Sequence, residues 1–126
     1  MSITGLLWLA LNVHHEARGE PFICQVMVAE VTMRRVDSPY FPDNIKDVVL
    51  EPSQFSWANN KTTYDFSVLT PSDFKAAEHV IKYGYYYTLT ELHYARYDIS
   101  NYWTKTMLPP SMQCGNHVFY DNGGKR

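Results

Sequence analysis

Residues 14–20 read His-His-Glu-Ala-Arg-Gly-Glu, five ionisable side chains and a glycine in seven positions. They follow an apolar run, GLLWLALNV, with no loop residues between. If that run is a helix ending near Ala17, Glu16 lies in its last turn, at the negative end of the helix dipole, which opposes ionisation. Partial burial opposes it further. Both effects keep the carboxyl protonated near neutral pH, the state in which a carboxylic acid can protonate the leaving oxygen of a glycosidic bond. Arg18, two positions on, points elsewhere on a helix and neutralises Glu16 little. Glu20 precedes Pro21 at a helix junction and reads as a cap for the helix that follows. His14 and His15, in a last helical turn, are favoured by the dipole when charged, so a structural role suffices for either.

Two other chemistries use neighbouring residues. A zinc peptidase of the H-E-x-x-H type fails on spacing, because Gly19 stands four places after His15. A scattered zinc site drawn from His14, His15, His93, His117 or Cys114 has no ligand spacing to support it. A cysteine hydrolase has more in its favour. Cys24 falls in the first turns of the second helix, where the dipole lowers a thiol pKa. His93 or His117 would then serve as base, with Asn116 to orient it. Cys24 also sits inside a strongly patterned helix, where a small buried thiol is commonplace.

The elements that must position these groups are mainly helical. Ile3, Leu6, Leu7, Ala10 and Leu11 follow helical spacing, predicting a helix from about Thr4 to Ala17 with Gly19 as its C-terminal turn. Pro21 opens a second helix whose buried stripe is Phe22, Val26, Ala29, Met33 and Val36. NIKDVVLEP is a short helix capped by Asp43 or Asn44. SQFSW alternates as a short strand, and ANNKTTYD reads as a turn or exposed loop. A further helix opens at TPSD, with Thr70 as cap, Pro71 in the first turn and Asp73 at the positive end. Its inner stripe is read as Phe74, Ala77, Ile81 and Tyr85. LHYARY and HVFY look like strands.

With 126 residues the chain suits one domain, residues 1–126, and its 45% hydrophobic and 19% charged residues suit a folded soluble protein. A net charge of -2 and no basic stretch argue against nucleic-acid binding. The N-terminus lacks a positive segment and cleavage site, and its apolar run is too short to span a bilayer, so a cytoplasmic product without membrane insertion is expected. In that compartment Cys24 and Cys114 are expected as free thiols.

Taken together, these residues resemble the SleB/CwlJ-type cell-wall hydrolases, the spore-cortex-lytic enzymes and their relatives, some of them bacteriophage lysins. The resemblance begins over residues 12–57. The family pattern there is E-A-R-G-E, then G-Q-x-x-V-A-x-V-x-x-N-R-V, S-x-x-F-P and x-V-V-x-x-P-x-Q-F-S. Here it is met by Glu16 to Glu20, Gln25 to Val36, Ser38 to Pro42 and Val48 to Ser56. LHYARY, Trp103 and CGNHVFY resemble the family's closing block. Cys24 stands where the family usually has glycine, Arg34 where it has asparagine and Cys114 where an aliphatic residue is common.

The resemblance implies an α+β, mainly helical, lysozyme-like domain of the goose-type or lytic-transglycosylase kind, with a small antiparallel strand region. It implies cleavage of peptidoglycan glycan strands at the bond from N-acetylmuramic acid to N-acetylglucosamine. Glu16 maps to the family's catalytic acid. No second acid declares itself, since Glu20, Glu30, Asp43 and Glu51 all have structural readings. That favours a single-acid lytic transglycosylase over a muramidase with two carboxylates. On the family blocks, Gln54 and Ser56 would hydrogen-bond sugar groups, with Phe55 facing the core. Tyr94, Trp103 and Tyr120 would wall the sugar, and His117 would orient a groove residue or bind substrate. Neither a metal nor a cofactor is called for, and a monomer is expected. The missing signal peptide suits a phage endolysin held in the host cytoplasm and acting on the wall after release. The cysteine or zinc peptidase, and a non-catalytic wall-binding module with an aromatic groove, remain the alternatives.

Overall fold

A computed structural model describes residues 3–51, 55–58, 63–88, 91–98 and 110–121. Four helices come first: α1 (Ile3–Ala17), α2 (Phe22–Asp37), α3 (Ile45–Leu50) and α4 (Pro71–Tyr83). Two 3-10 turns, Ser56–Ala58 and Phe66–Val68, lie between α3 and α4. The strands β1 (His93–Arg96), β2 (Pro110–Cys114) and β3 (His117–Tyr120) follow, all antiparallel, in the spatial order β1-β3-β2. The mainly helical α+β expectation is met.

α1, α2 and α4 pack on one another, with α3 against the first two. Their shared core holds Leu9, Leu11, Val13, Val26, Ala29, Ala77 and Val80. A second core joins α2 to the sheet through Ala17, Met27, Val28, Val31, Phe55, Tyr94 and Phe119. Because α2 serves both cores, it is enclosed almost all round from Cys24 to Thr32. The single stripe read from its sequence is therefore too narrow, and the Phe22 that was to open it is 43% exposed.

The caps follow local chemistry. Asn44 accepts the Asp47 amide at the start of α3. At α4, Thr70 and Asp73 form a reciprocal capping box with Pro71 in the first turn. The buried face of α4 is Asp73, Ala76, Ala77 and Val80. The expected stripe is thus rotated by about one position, and Ile81 and Tyr85 lie exposed. That rotation brings the Asp73 carboxylate inward, where Oδ2 meets His14 Nδ1 of α1 at 2.9 Å. The strand expected over SQFSW is not formed within the described part, where Phe55 leads directly into the 3-10 turn.

Candidate active site

α1 stops because Gly19 takes a φ of 82°, which turns the chain and lets Pro21 lead into α2. Glu16 is thereby left in the last turn of α1, half-buried beside the α1–α2 junction. Burial pushes its carboxyl up to about 7, and the Arg35 guanidinium holds it below where burial alone would put it. Arg18, by contrast, is exposed. Arg35 is buried on α2, donates through Nε to the Leu92 carbonyl at 2.8 Å, and lies 5.1 Å from the ring centres of both Phe41 and Phe55. A fixed cation is thus set against a carboxyl that otherwise resists ionisation.

The strand region is tied to α2 by the arginine pair and Glu30. Arg34 Nη1 donates to Thr88 Oγ1 at 2.7 Å and to the Glu91 carbonyl at 3.2 Å. The fully buried Glu30 accepts the backbone amides of Tyr86, Tyr87 and Thr88. This anchoring sets the entry of β1 and places Tyr94 over the second core. The Tyr94 ring is 9% exposed, and its buried hydroxyl lies beside the Asn12 side chain. Burial first, and then the Glu16 charge, hold that hydroxyl protonated well above the ordinary tyrosine range.

Glu20 does not cap α2. Pro21 holds the cap position, and no side chain bonds the free amides there. Glu20 instead reaches the β2–β3 turn, where Oε1 accepts the Asn116 amide at 3.0 Å and lies 3.3 Å from His117 Nδ1. A Cβ at Gly115 would lie 2.1 Å from Glu20 Oε2, so only glycine admits this approach. His117 is buried, and burial keeps it below the ordinary histidine range although Glu20 and a hydrogen bond to the Glu16 backbone both favour its charged form. His117 therefore joins the acid's own helix turn to the hairpin and packs edge-on against Tyr94, with ring centres 5.3 Å apart.

The same turn is fixed covalently. Cys24, in the first turn of α2, is disulfide-bonded to Cys114, the last residue of β2, with Cα atoms 5.4 Å apart. This corrects the expectation of free thiols, which came from the presumed compartment and not from where the chain brings the two sulfurs. It also removes the thiol that a Cys24 nucleophile would need.

Of the other residues expected at the site, Tyr120 is 8% exposed, buried at the end of β3. Gln54, Trp103 and the side chain of Ser56 lie outside the described residues. Phe55 is buried, as expected. The sequence reading missed two groups. One is Arg35, whose signal was an arginine in the last turn of α2 on the side of its buried residues. The other is Trp57, which stacks on His15 at 4.4 Å and donates through Nε1 to Asn12 Oδ1 at 2.9 Å. Both rings are half-buried and stand next to Glu16 in the chain or pack on its neighbour. Among the described residues no three His, Cys, Asp or Glu side chains group to hold a metal, and no helix is long and apolar enough to cross a membrane.

Comparison with known proteins places this arrangement. The family described as Cell Wall Hydrolase matches residues 19–120. The spore cortex-lytic enzymes of Oceanobacillus iheyensis and Bacillus cereus are each 34% identical over 116 residues, which is 88% of this chain. The chain spans 39% and 42% of the length of those two enzymes. The crystal structure of the catalytic domain of the Bacillus cereus SleB protein superposes with a TM-score of 0.81 at 30% identity, over 95% of this chain and 91% of that one. The catalytic domain of the germination-specific lytic transglycosylase SleB from Bacillus anthracis gives 0.80 at 29%, over 96% and 97%. The expected lysozyme-like fold is thereby met in its SleB form.

Proposed function

The chain belongs to the cell wall hydrolase family, and from that premise we propose that it cleaves peptidoglycan glycan strands as a lytic transglycosylase with Glu16 as its single acid and base. The observation that carries this reading is the Glu16 carboxyl, poised by burial to hold its proton up to about pH 7 at the α1–α2 junction. The family match opens at Gly19, so the choice of Glu16 stands on this geometry and on the sequence pattern around it.

In the proposed reaction the Glu16 proton passes to the oxygen bridging N-acetylmuramic acid and N-acetylglucosamine. The bond from C1 of the muramic acid to that oxygen breaks with oxocarbenium character. The muramic acid's own 6-hydroxyl then bonds to C1 and gives its proton to the Glu16 carboxylate, which restores the acid and leaves a 1,6-anhydro end. A second carboxylate, as two-acid glycosidases use, is not needed on this route. The buried carboxylates of the described residues support it, because they are committed elsewhere. Glu30 holds backbone amides, Asp73 holds His14 and Glu91 accepts Ser111 Oγ. Arg35 favours the carboxylate at the moment the proton leaves. The Cys24–Cys114 bridge suits work on the outer side of the membrane, where thiols oxidise and the wall lies.

Glu16→Gln should fold normally and lose release of muropeptides from purified peptidoglycan by at least about a hundredfold, the scale of a general acid's contribution. Retained release would sink the assignment. Mass spectrometry of wild-type products should find anhydro ends, and reducing muramic acid ends in their place would turn the reading to hydrolysis.

A further inference from the structure

The surface also carries a continuous group of aromatic rings that the proposed reaction does not use. His79 of α4 is its hub. The centre of its ring lies 4.8 Å from that of Tyr83, 5.9 Å from Tyr87, and 6.3 Å from both Tyr86 and Phe22. Tyr86 and Tyr87 meet edge-on at 5.0 Å. Such rings normally close a core, yet Phe22 is 43% exposed, Tyr83 58% and Tyr86 72%. The arrangement is also pre-organised. The backbone amides of Tyr86 and Tyr87 are held by the buried Glu30 carboxylate, so the loop that presents the most exposed ring is anchored from below.

We propose that this aromatic face is a second glycan-binding site, which grips a peptidoglycan strand apart from the one being cut. Two features choose a sugar over an apolar protein segment. First, four of the five rings carry a polar edge, a phenol or an imidazole, beside their apolar faces. A pyranose presents the matching surface, a C–H face rimmed with hydroxyls, and tyrosine is suited to a surface apolar at one end and wet at the other. Second, Lys82 Nζ lies 5.2 Å over the Tyr83 ring, placing a cation where the acidic side groups of a muramic acid strand would pass. An enzyme whose substrate is an insoluble polymer gains from such a grip, because it stays on the polymer between cuts. The inference rests on the proposed action on peptidoglycan.

The test uses sedimentation of the whole chain with purified sacculi, in the Glu16→Gln background so that nothing is cut. Adding Tyr83→Ala and Tyr86→Ala, both at exposed positions, should lower the bound fraction as an about tenfold loss of affinity, two ring contacts at about 0.7 kcal/mol each. The same pair in the active chain should slow release from sacculi several-fold and leave turnover of short soluble glycan fragments unchanged. Unchanged sedimentation would overturn the site, as would equal slowing on both substrates. Unchanged sedimentation with a concentration-dependent dimer abolished by the pair would assign the face to self-association instead. If the Glu16→Gln parent itself does not sediment, the second site falls. Muropeptide release by wild type then tells separately whether the proposed reaction stands.

Discussion

In the proposed reaction Glu16 holds a proton close to neutrality and gives it up during each turnover. Burial raises its pKa from an ordinary 4.5 to about 7, so the protonated fraction, and with it the first step, should fall as pH rises through 7. A rate profile on soluble glycan fragments with no decline between pH 6 and 8.5 would contradict this. The same shift ties stability to pH. The folded chain binds this proton more tightly than the unfolded one, so Glu16 costs the fold nothing below about pH 4.5. Its cost then grows as pH rises to about 7 and is constant above, reaching about 3 kcal/mol at most. Glu16→Gln should therefore raise the melting temperature more at pH 8 than at pH 4.5. An equal change at both would show that the carboxyl is not held proton-bound by the fold. Tyr94→Phe gives a complementary check. It removes a buried hydroxyl whose hydrogen-bonding neighbour, Asn12, is also bonded to Thr32 and Trp57, so the melting temperature should fall little. At this scale the proton-holding environment of Glu16 was legible from sequence and the Arg35 cation beside it was not. A helix terminus can be read from Gly19 and Pro21, whereas the approach of Arg35 to Glu16 depends on how α2 packs against α1.

The elements repeat that division. Caps and ends are written in a few adjacent residues, so α1, α3 and the Thr70 cap of α4 could be read directly. Faces depend on what packs where. The α4 stripe was misread by about one position because an aspartate lies on its buried side, paired with His14 from 59 residues away. β2 was missed because PSMQC is half polar and pairs only on one edge, with β3. The role of Glu20 was misread for the same reason, since its partners at the β2–β3 turn lie 96 residues on. That contact makes the turn sensitive to one methyl group. Gly115 has a φ of 56°, and an added Cβ would meet Glu20 Oε2 at 2.1 Å. Gly115→Ala should destabilise the chain by about 2 kcal/mol, from backbone strain plus displacement of the carboxylate. It should also reduce activity, because His117 ties that turn to the Glu16 backbone. Denaturant unfolding and muropeptide release measure the two effects. Unchanged stability would mean that Glu20 does not clamp the hairpin.

Across the whole molecule, the acid's helix comes first in the chain and the hairpin that supports it comes last, so their alignment rests on contacts of long sequence separation. Loop-closure entropy disfavours such contacts until the intervening chain is ordered. The Cys24–Cys114 bridge shortens that search by closing a loop with a separation of 90 residues. In the chain-entropy account a loop of this size contributes about 4–5 kcal/mol, the largest single constraint on the unfolded chain here. The bridge lies beside the Glu20 clamp, with Cys24 Sγ 3.4 Å from a Cβ built at Gly115, so covalent and polar ties hold the same turn. Losing the covalent tie leaves the polar ones in place. The Cys24→Ser, Cys114→Ser double variant should therefore keep muropeptide release at low temperature while its melting temperature drops by ten degrees or more, on the order expected for several kcal/mol in a domain of this size. A reductant should lower the wild-type midpoint toward the same value and leave the double variant unmoved. Alkylation followed by mass measurement, done on the same samples, establishes that the wild-type thiols were released. Free thiols with an unchanged midpoint would show that the hairpin is held by Glu20 and the second core alone.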